Sequence, residues 1–284
     1  MKRKRNLIQS IIKDVKKGFK RIFWYTFCKT NYFFLSLKYK IKKENIEKFN
    51  ISLLLPTRER SEKYKRMLST LIDTCNDLDR IELLILLDSD DKELNIYKEI
   101  INQNVAKGID IKIFVNNLDT NAKRNNYLAK KSNGKILFPI NDDIIFKSKN
   151  WDNYIDAEFS KVKNTPYSLW LDHGQKYKYL HCDFPIVNRI WYEKLGYIGS
   201  EYFNFWYMDT WICDLSLKSK KFLITNKIKL YQYSAHTLKE EVDNTHLKNI
   251  KNDIPEKDYV IWNNTEFNRI NDAKLLKWIL VFWV

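Results

Sequence analysis

Glycine and proline are scarce in this chain, with 6 and 5 in 284 residues. Long flexible linkers need such residues, so the sequence reads as ordered segments joined by short turns. Cysteine is sparse too: the four, at positions 28, 75, 182 and 213, form no Cys-x-x-Cys pair. That excludes the usual zinc spacings and a disulfide framework, and predicts reduced thiols in a cytoplasmic protein. No apolar run reaches the ~20 residues that span a bilayer, and none follows Met1-Lys2-Arg3-Lys4-Arg5 as a secretory signal would require. There are no repeats.

What is abundant is aromatic residues, with 9 Trp, 17 Tyr and 16 Phe, and positive charge, a net of +15. The charge is uneven. Residues 1–50 hold 15 Lys and Arg against 3 acids, a net of +12, which leaves +3 for the rest. A basic arm attached to a nearly neutral body does not call for a nucleic-acid partner. Leu7, Ile8, Ile11, Ile12, Val15, Phe19, Ile22 and Phe23 fall on one helical face, with Lys13, Lys16, Lys17, Lys20 and Arg21 around the other. Trp24, Tyr25 and Phe27 follow. Such a helix suits an anionic membrane surface, or packs its stripe on the body and leaves its lysines in water. Residues 275–284, ending Trp278-Ile279-Leu280-Val281-Phe282-Trp283-Val284, are too short to span a bilayer but apolar enough to lie on one or to fill a groove.

Between these ends the pattern alternates. Strands are predicted at 51–55, 81–87, 111–115 and 135–140, with helices at 61–77, about 92–106 and about 120–132, the last capped near Asn133-Gly134. This is a βαβ series with a largely parallel sheet. Past residue 150 the pattern loosens to short strands at 168–171 and 222–233 and a helix at 209–220.

The polar residues gather where strands end, and ligands of open α/β sheets collect beyond the carboxyl ends of strands. The first strand ends in Pro56-Thr57-Arg58. The second ends in Asp88-Ser89-Asp90-Asp91. Ala122-Lys123-Arg124-Asn125-Asn126 lies on the third helix, and Asn141-Asp142-Asp143 closes the strand after it. Two adjacent carboxylates at a strand end make an oxygen-rich site of the kind Mg²⁺ or Mn²⁺ binds. Taken singly, each of these groups is equally a solvated turn or a surface charge.

Their order and spacing over roughly residues 50–240 resemble family 2 glycosyltransferases, which have the GT-A fold. The resemblance implies transfer of a sugar, with inversion, from a nucleoside diphosphate-sugar (a UDP-sugar first among donors) to a glycan or lipid-linked acceptor. It also implies Mn²⁺ or Mg²⁺ as cofactor. By it, Asp143 and Asp142 hold the metal, with Asn141 in place of the usual first acid. His236 is a further metal or phosphate contact, with His246 as its substitute. Pro56, Thr57, Arg58, Asp88, Asp90, Arg124, Asn125, Asn141 and Asp142 line the donor. Trp206-Tyr207-Met208-Asp209-Thr210-Trp211 resembles the family's acidic segment at a helix start, which makes Asp209 the general base; the same residue could be only an N-cap. Asp214, about 140° further round that helix, has separate, structural work. His173 and His181 lie among Trp170, Tyr177 and Tyr179, a group that suits either a sugar platform or core.

The expected organisation is a basic arm (1–49), a GT-A domain (50–240, with a nucleotide-sugar half at 50–147 and an acceptor half at 148–240), and a helical, apolar tail (241–284). The expected location is the cytoplasmic face of a membrane, held peripherally. Two rivals remain: a nucleotidyltransferase, disfavoured because Pro56–Arg60 lacks glycine, and a non-catalytic membrane or nucleic-acid adaptor.

Overall fold

The computed structural model describes residues 49–104, 108–174, 181–233, 247 and 254–277. Residues 1–48 of the basic arm, Tyr177, Tyr179, His236, His246 and the apolar end 278–284 lie outside these residues.

Strands β1 (Ile51–Pro56), β2 (Ile81–Leu87) and β4 (Ile136–Pro139) are apolar almost throughout because both of their faces are covered. Side chains alternate between the faces. Ile51, Leu53, Leu55, Leu83, Ile85 and Phe138 join Tyr64, Met67 and Leu71 of α1 (Ser61–Thr74), Tyr97 of α2 (Leu94–Asn104), and Trp151 and Ile155 of α4 (Trp151–Phe159). On the other face Leu54, Leu84, Leu86 and Leu137 meet Leu128 of α3 (Asn121–Lys131) and Trp191 of α5 (Arg189–Leu195). The same layer holds Trp211, Ile212 and Leu215 of α6 (Met208–Ser219) and Leu276 of α8 (Glu266–Lys277). At ~1.5–3 kcal/mol for each fully buried Leu, Ile or Phe, these two layers dominate the stability.

The remaining strands are β3 (Asp110–Val115), β5 (Ile144–Phe146), β6 (Ser168–Asp172), β7 (Ile186–Asn188) and β8 (Phe222–Gln232). The sheet order is β3-β2-β1-β4-β7-β6-β8-β5. β1 pairs in parallel with β2 and β4, and β2 with β3. β7 is antiparallel to both β4 and β6, so β6 runs the same way as β4. β8 is parallel to β6, and β5 is antiparallel to β8. The carboxyl ends of six strands, β1 to β4, β6 and β8, therefore share one edge. Whatever follows each of them in sequence meets there.

Two expectations are corrected. The helix predicted to end at Asn133-Gly134 stops at Lys131, with Ser132 as an extended cap. Gly134 serves close approach instead: a Cβ there would lie 2.4 Å from Ser52 Oγ and 2.8 Å from the Asn50 carbonyl. The helix predicted over 61–77 ends at Thr74. Among the described residues no helix is long and apolar enough to cross a membrane. α7 (Ile254–Asn264) and α8 pack against the body: Arg269 of α8 donates to Asp214 of α6 at 2.7 Å. Asp214 thus ties α6 to α8, and its other oxygen takes Lys218 Nζ of its own helix at 2.7 Å.

Candidate active site at the carboxyl edge of the sheet

Thr57, just past β1, donates its hydroxyl proton to Asp142 Oδ2 at 2.5 Å. Tyr97 Oη lies 3.1 Å from the same oxygen of Thr57. A hydroxyl has one proton, and that of Thr57 is spent on Asp142, so Tyr97 is the donor in this second contact. Tyr97 Oη in turn accepts the Arg60 amide at 3.0 Å, and Arg60 Nη1 lies 3.2 Å from Asp142 Oδ1. Both oxygens of Asp142 are thus held by protein donors.

Asp143 is left differently. It is 4% exposed, and Asp142 beside it is 3% exposed. Its one side-chain donor among the described residues is the Gln232 amide, at 3.2 and 3.4 Å from its two oxygens. Burial, and then the charge of Asp142, push the Asp143 carboxyl up to about 7. Burial also raises Asp142, against the opposing pull of Arg60 and Thr57. Two adjacent buried carboxyls with little positive charge on Asp143 suit a hard divalent cation, which prefers oxygen ligands and cancels the penalty of burying them ionised. The residues present fit that cofactor.

A second knot lies at the end of β2. Arg58 donates to Asp88 at 2.7 Å and to both oxygens of Asp90, at 2.5 and 2.9 Å. Arg124 reaches the other Asp88 oxygen at 2.7 Å while its Nε holds the Leu118 carbonyl. Asp90 and then Asp88 raise the Arg58 pKa further still. Arg124 can do this because the Thr120 side chain caps α3 and starts the helix at this edge. Asp88 is buried; Asp90 is exposed.

The third group comes from the lead into β7 and from α6, with His173 just past β6. Asp209 sits in the first turn of α6; the N-cap is Tyr207, so the N-cap reading of Asp209 is corrected. Asp209 Oδ1 accepts the Thr210 amide at 2.7 Å, and Oδ2 lies 3.2 Å from His181 Nε2. The same Nε2 is 3.4 Å from Asp183 Oδ1, and His173 Nδ1 donates to Asp183 Oδ2 at 2.9 Å. Burial alone would discharge His181, but the facing Cys213 and Asp209 outweigh it and raise its pKa. Burial alone would likewise raise Asp209, and His181 reverses that, holding it ionised.

Other residues deliver Asp209, and the sequence did not single them out. Asp258 of α7 is fully buried and accepts the amides of Asn204, Phe205 and Trp206 at 2.8–3.0 Å, with the Asn204 side chain as a fourth donor. Tyr207 follows with φ 70°, a left-handed backbone that a tyrosine rarely adopts. Its ring stacks on Phe203 at 5.5 Å and on Trp262 at 5.3 Å. Asn126 of α3 takes the amides of Ile198 and Gly199 on its Oδ1, and a Cβ on Gly199 would press on Met208. The turn at 198–199 is thereby fixed to α3 with Met208 of α6 close beside it.

The structure gathers Thr57, Arg58, Asp88, Asp90, Arg124, Asp142 and Asp143 at one edge, with Pro56 as the last residue of β1. Asn141 is exposed beside them. Asn125 is not bonded to this set: it is buried and its amide nitrogen holds Asn121. Trp170 is fully buried and stacks on Phe222 at 5.0 Å, so it is core. Arg60, Tyr97, Gln232, His181 and Asp183 complete the polar surroundings of the acids; of these only His181 was marked in the sequence, and only for its aromatic neighbours.

No family model matches the chain, and no curated protein matches it in sequence. Solved structures do match in fold. A mannosyltransferase from Pyrobaculum calidifontis, in complex with GDP-Man and Mn²⁺, is 9% identical at a TM-score of 0.53, covering 88% of this chain and 84% of that one. S. aureus TarS 1-349 in complex with UDP-GlcNAc is 13% identical at 0.55, covering 80% and 70%. GalNAc-T7 with UDP, GalNAc and Mn²⁺ is 13% identical at 0.54, covering 66% and 44%. These likenesses, with the strand order and its shared carboxyl edge, establish that the chain has the GT-A fold.

Proposed function

We propose that this protein is a metal-dependent, inverting glycosyltransferase that moves a sugar from a nucleoside diphosphate-sugar, a UDP-sugar first, to a glycan or lipid-linked acceptor. The observation that carries the reading is Asp143, a buried carboxyl at the shared strand edge whose charge only Gln232 and more distant cations oppose. The three solved relatives were crystallised with nucleotides, nucleotide-sugars or Mn²⁺, which supports the same donor class here.

Asp143 is the principal metal ligand, with Asp142 and His236 as further ligands. When bound, Mn²⁺ or Mg²⁺ neutralises the charge that gathers on the departing diphosphate. Asp142, fixed by Thr57 and Arg60, orients its neighbour and meets the donor with Asn141, Pro56 and Thr57. Asp88 and Asp90, drawn into line by Arg58 and Arg124, accept hydrogen bonds from the base and ribose; Asn125 supports the helix carrying Arg124. Asp209, kept ionised by His181, takes the acceptor hydroxyl proton on a carboxylate oxygen as the sugar carbon is attacked. The basic arm and the apolar end of the 241–284 tail hold the domain to an anionic membrane on its cytoplasmic face.

The test is a donor screen with purified full-length protein, following nucleotide release in Mn²⁺. Turnover of one nucleotide-sugar, lost in Asp143→Asn, supports the reading; no turnover and no metal-dependent nucleotide binding overturns it.

A further inference from the structure

His181, Asp183 and Asp209 come from two separate segments, the lead into β7 and the first turn of α6, yet their ligand atoms lie within 4.8 Å of one another. His181 Nε2 stands 3.2 Å from Asp209 Oδ2 and 3.4 Å from Asp183 Oδ1. An ion bound at about 2.0–2.2 Å sets neighbouring ligand atoms roughly 3.0–3.5 Å apart, so two edges of a coordination polyhedron are already near their final length. The third edge joins the two carboxylates, both within reach of His181 Nε2; an ion bound here takes the place of the proton on that nitrogen, which leaves to solvent.

The surroundings are those of a built site. Each carboxylate has its other oxygen fixed by protein: Asp183 Oδ2 by the His173 ring, Asp209 Oδ1 by the amide and hydroxyl of Thr210. His173 is itself tied to the His181 carbonyl at 3.2 Å. Such outer partners aim ligands at one point. All three ligating residues keep partial exposure. An imidazole with two carboxylates favours Zn²⁺ and its transition-metal neighbours over Mg²⁺, whereas the all-oxygen pair at 142 and 143 favours Mg²⁺ or Mn²⁺.

We infer that His181, Asp183 and Asp209 form a second, zinc-type cation site on the acceptor side, and that its occupation withdraws Asp209 from proton transfer. The second half rests on the glycosyl-transfer reading; the first half does not.

The experiment uses metal-stripped full-length protein and Co²⁺ as a coloured substitute for Zn²⁺. The expected result is a visible d–d spectrum that saturates at one equivalent and is displaced by Zn²⁺. It persists in Asp143→Asn and is lost in both His181→Gln and Asp183→Asn, each shown to be folded by circular dichroism. No spectrum in the wild type, or one that survives both ligand variants, overturns the site. A spectrum lost only in Asp143→Asn places the ion at the strand-end acids and also overturns it. In a transfer assay with saturating Mg²⁺, Zn²⁺ at about ten times its dissociation constant should cut turnover roughly tenfold, as one-site occupancy requires. Zn²⁺ that binds these ligands and leaves turnover untouched overturns the second half alone. A protein with no transfer activity still answers the first.

Discussion

Thr57 and Asp142 stand at the ends of adjacent parallel strands, and the Thr57 hydroxyl donates to Asp142 Oδ2. Asp142 is buried, so this donor does more than orient it. Thr57→Val keeps the shape and removes the bond. It should cost ~1–3 kcal/mol in urea unfolding, the penalty of an unsatisfied buried acceptor, and should weaken nucleotide binding. Thr57→Ser should restore most of both. A silent Thr57→Val would show that the cradle around Asp142 has no energetic role.

Asp143 makes the apo fold sensitive to pH. Its folded pKa is raised, so its contribution to stability is fully present below about 4, the ordinary aspartate value, and is lost as pH rises through about 7. In chelator, Asp143→Asn should therefore be more stable than the wild type at pH 8 by a few kcal/mol, at ~1.4 kcal/mol per pKa unit. The gap should close towards pH 4, and Mn²⁺ should narrow it at pH 8 by stabilising only the wild type. Thermal melts across pH read this directly. A wild type more stable than the variant at pH 8 without metal would contradict it.

Asp258 lies far from Asp209 in sequence but builds the loop that delivers it. Asp258→Ala strands four donors, three of them backbone amides, and should destabilise by ~2–4 kcal/mol. Its functional signature should be a lowered kcat with donor affinity retained, because the proposed donor cradle stands on β1, β2 and β4. Loss of donor affinity with kcat intact would refute that division.

Asp209→Asn removes the proposed base and preserves its shape. Turnover should fall ~10²–10⁴-fold while nucleotide binding by calorimetry stays within about twofold. Unchanged turnover would remove Asp209 from the chemistry.

The donor half was legible because its strands are doubly buried: Ile81–Leu87 reads as unbroken apolar sequence, and the polar residue after each strand marks the edge. The second half was less so. β5 and β7 are three residues each, too short to show a period of two. Gly134 looked like a helix cap because glycine has two uses, and here it admits the Asn50–Ser52 backbone. Arg58 and Arg124 read in sequence as donor contacts, yet in the fold both close on Asp88, a pairing between residues 30 and 36 positions apart that no local pattern carries. Asp258 was invisible for the same reason: its four bonds cross more than 50 residues.

The account turns on divalent-cation binding at Asp143 beside a nucleotide. Calorimetric titration of UDP into the full-length protein, with and without Mn²⁺, tests it most directly. The prediction is a metal-dependent binding heat in the wild type that disappears in Asp143→Asn. Equal UDP binding with and without metal, or binding that Asp143→Asn leaves intact, would contradict it.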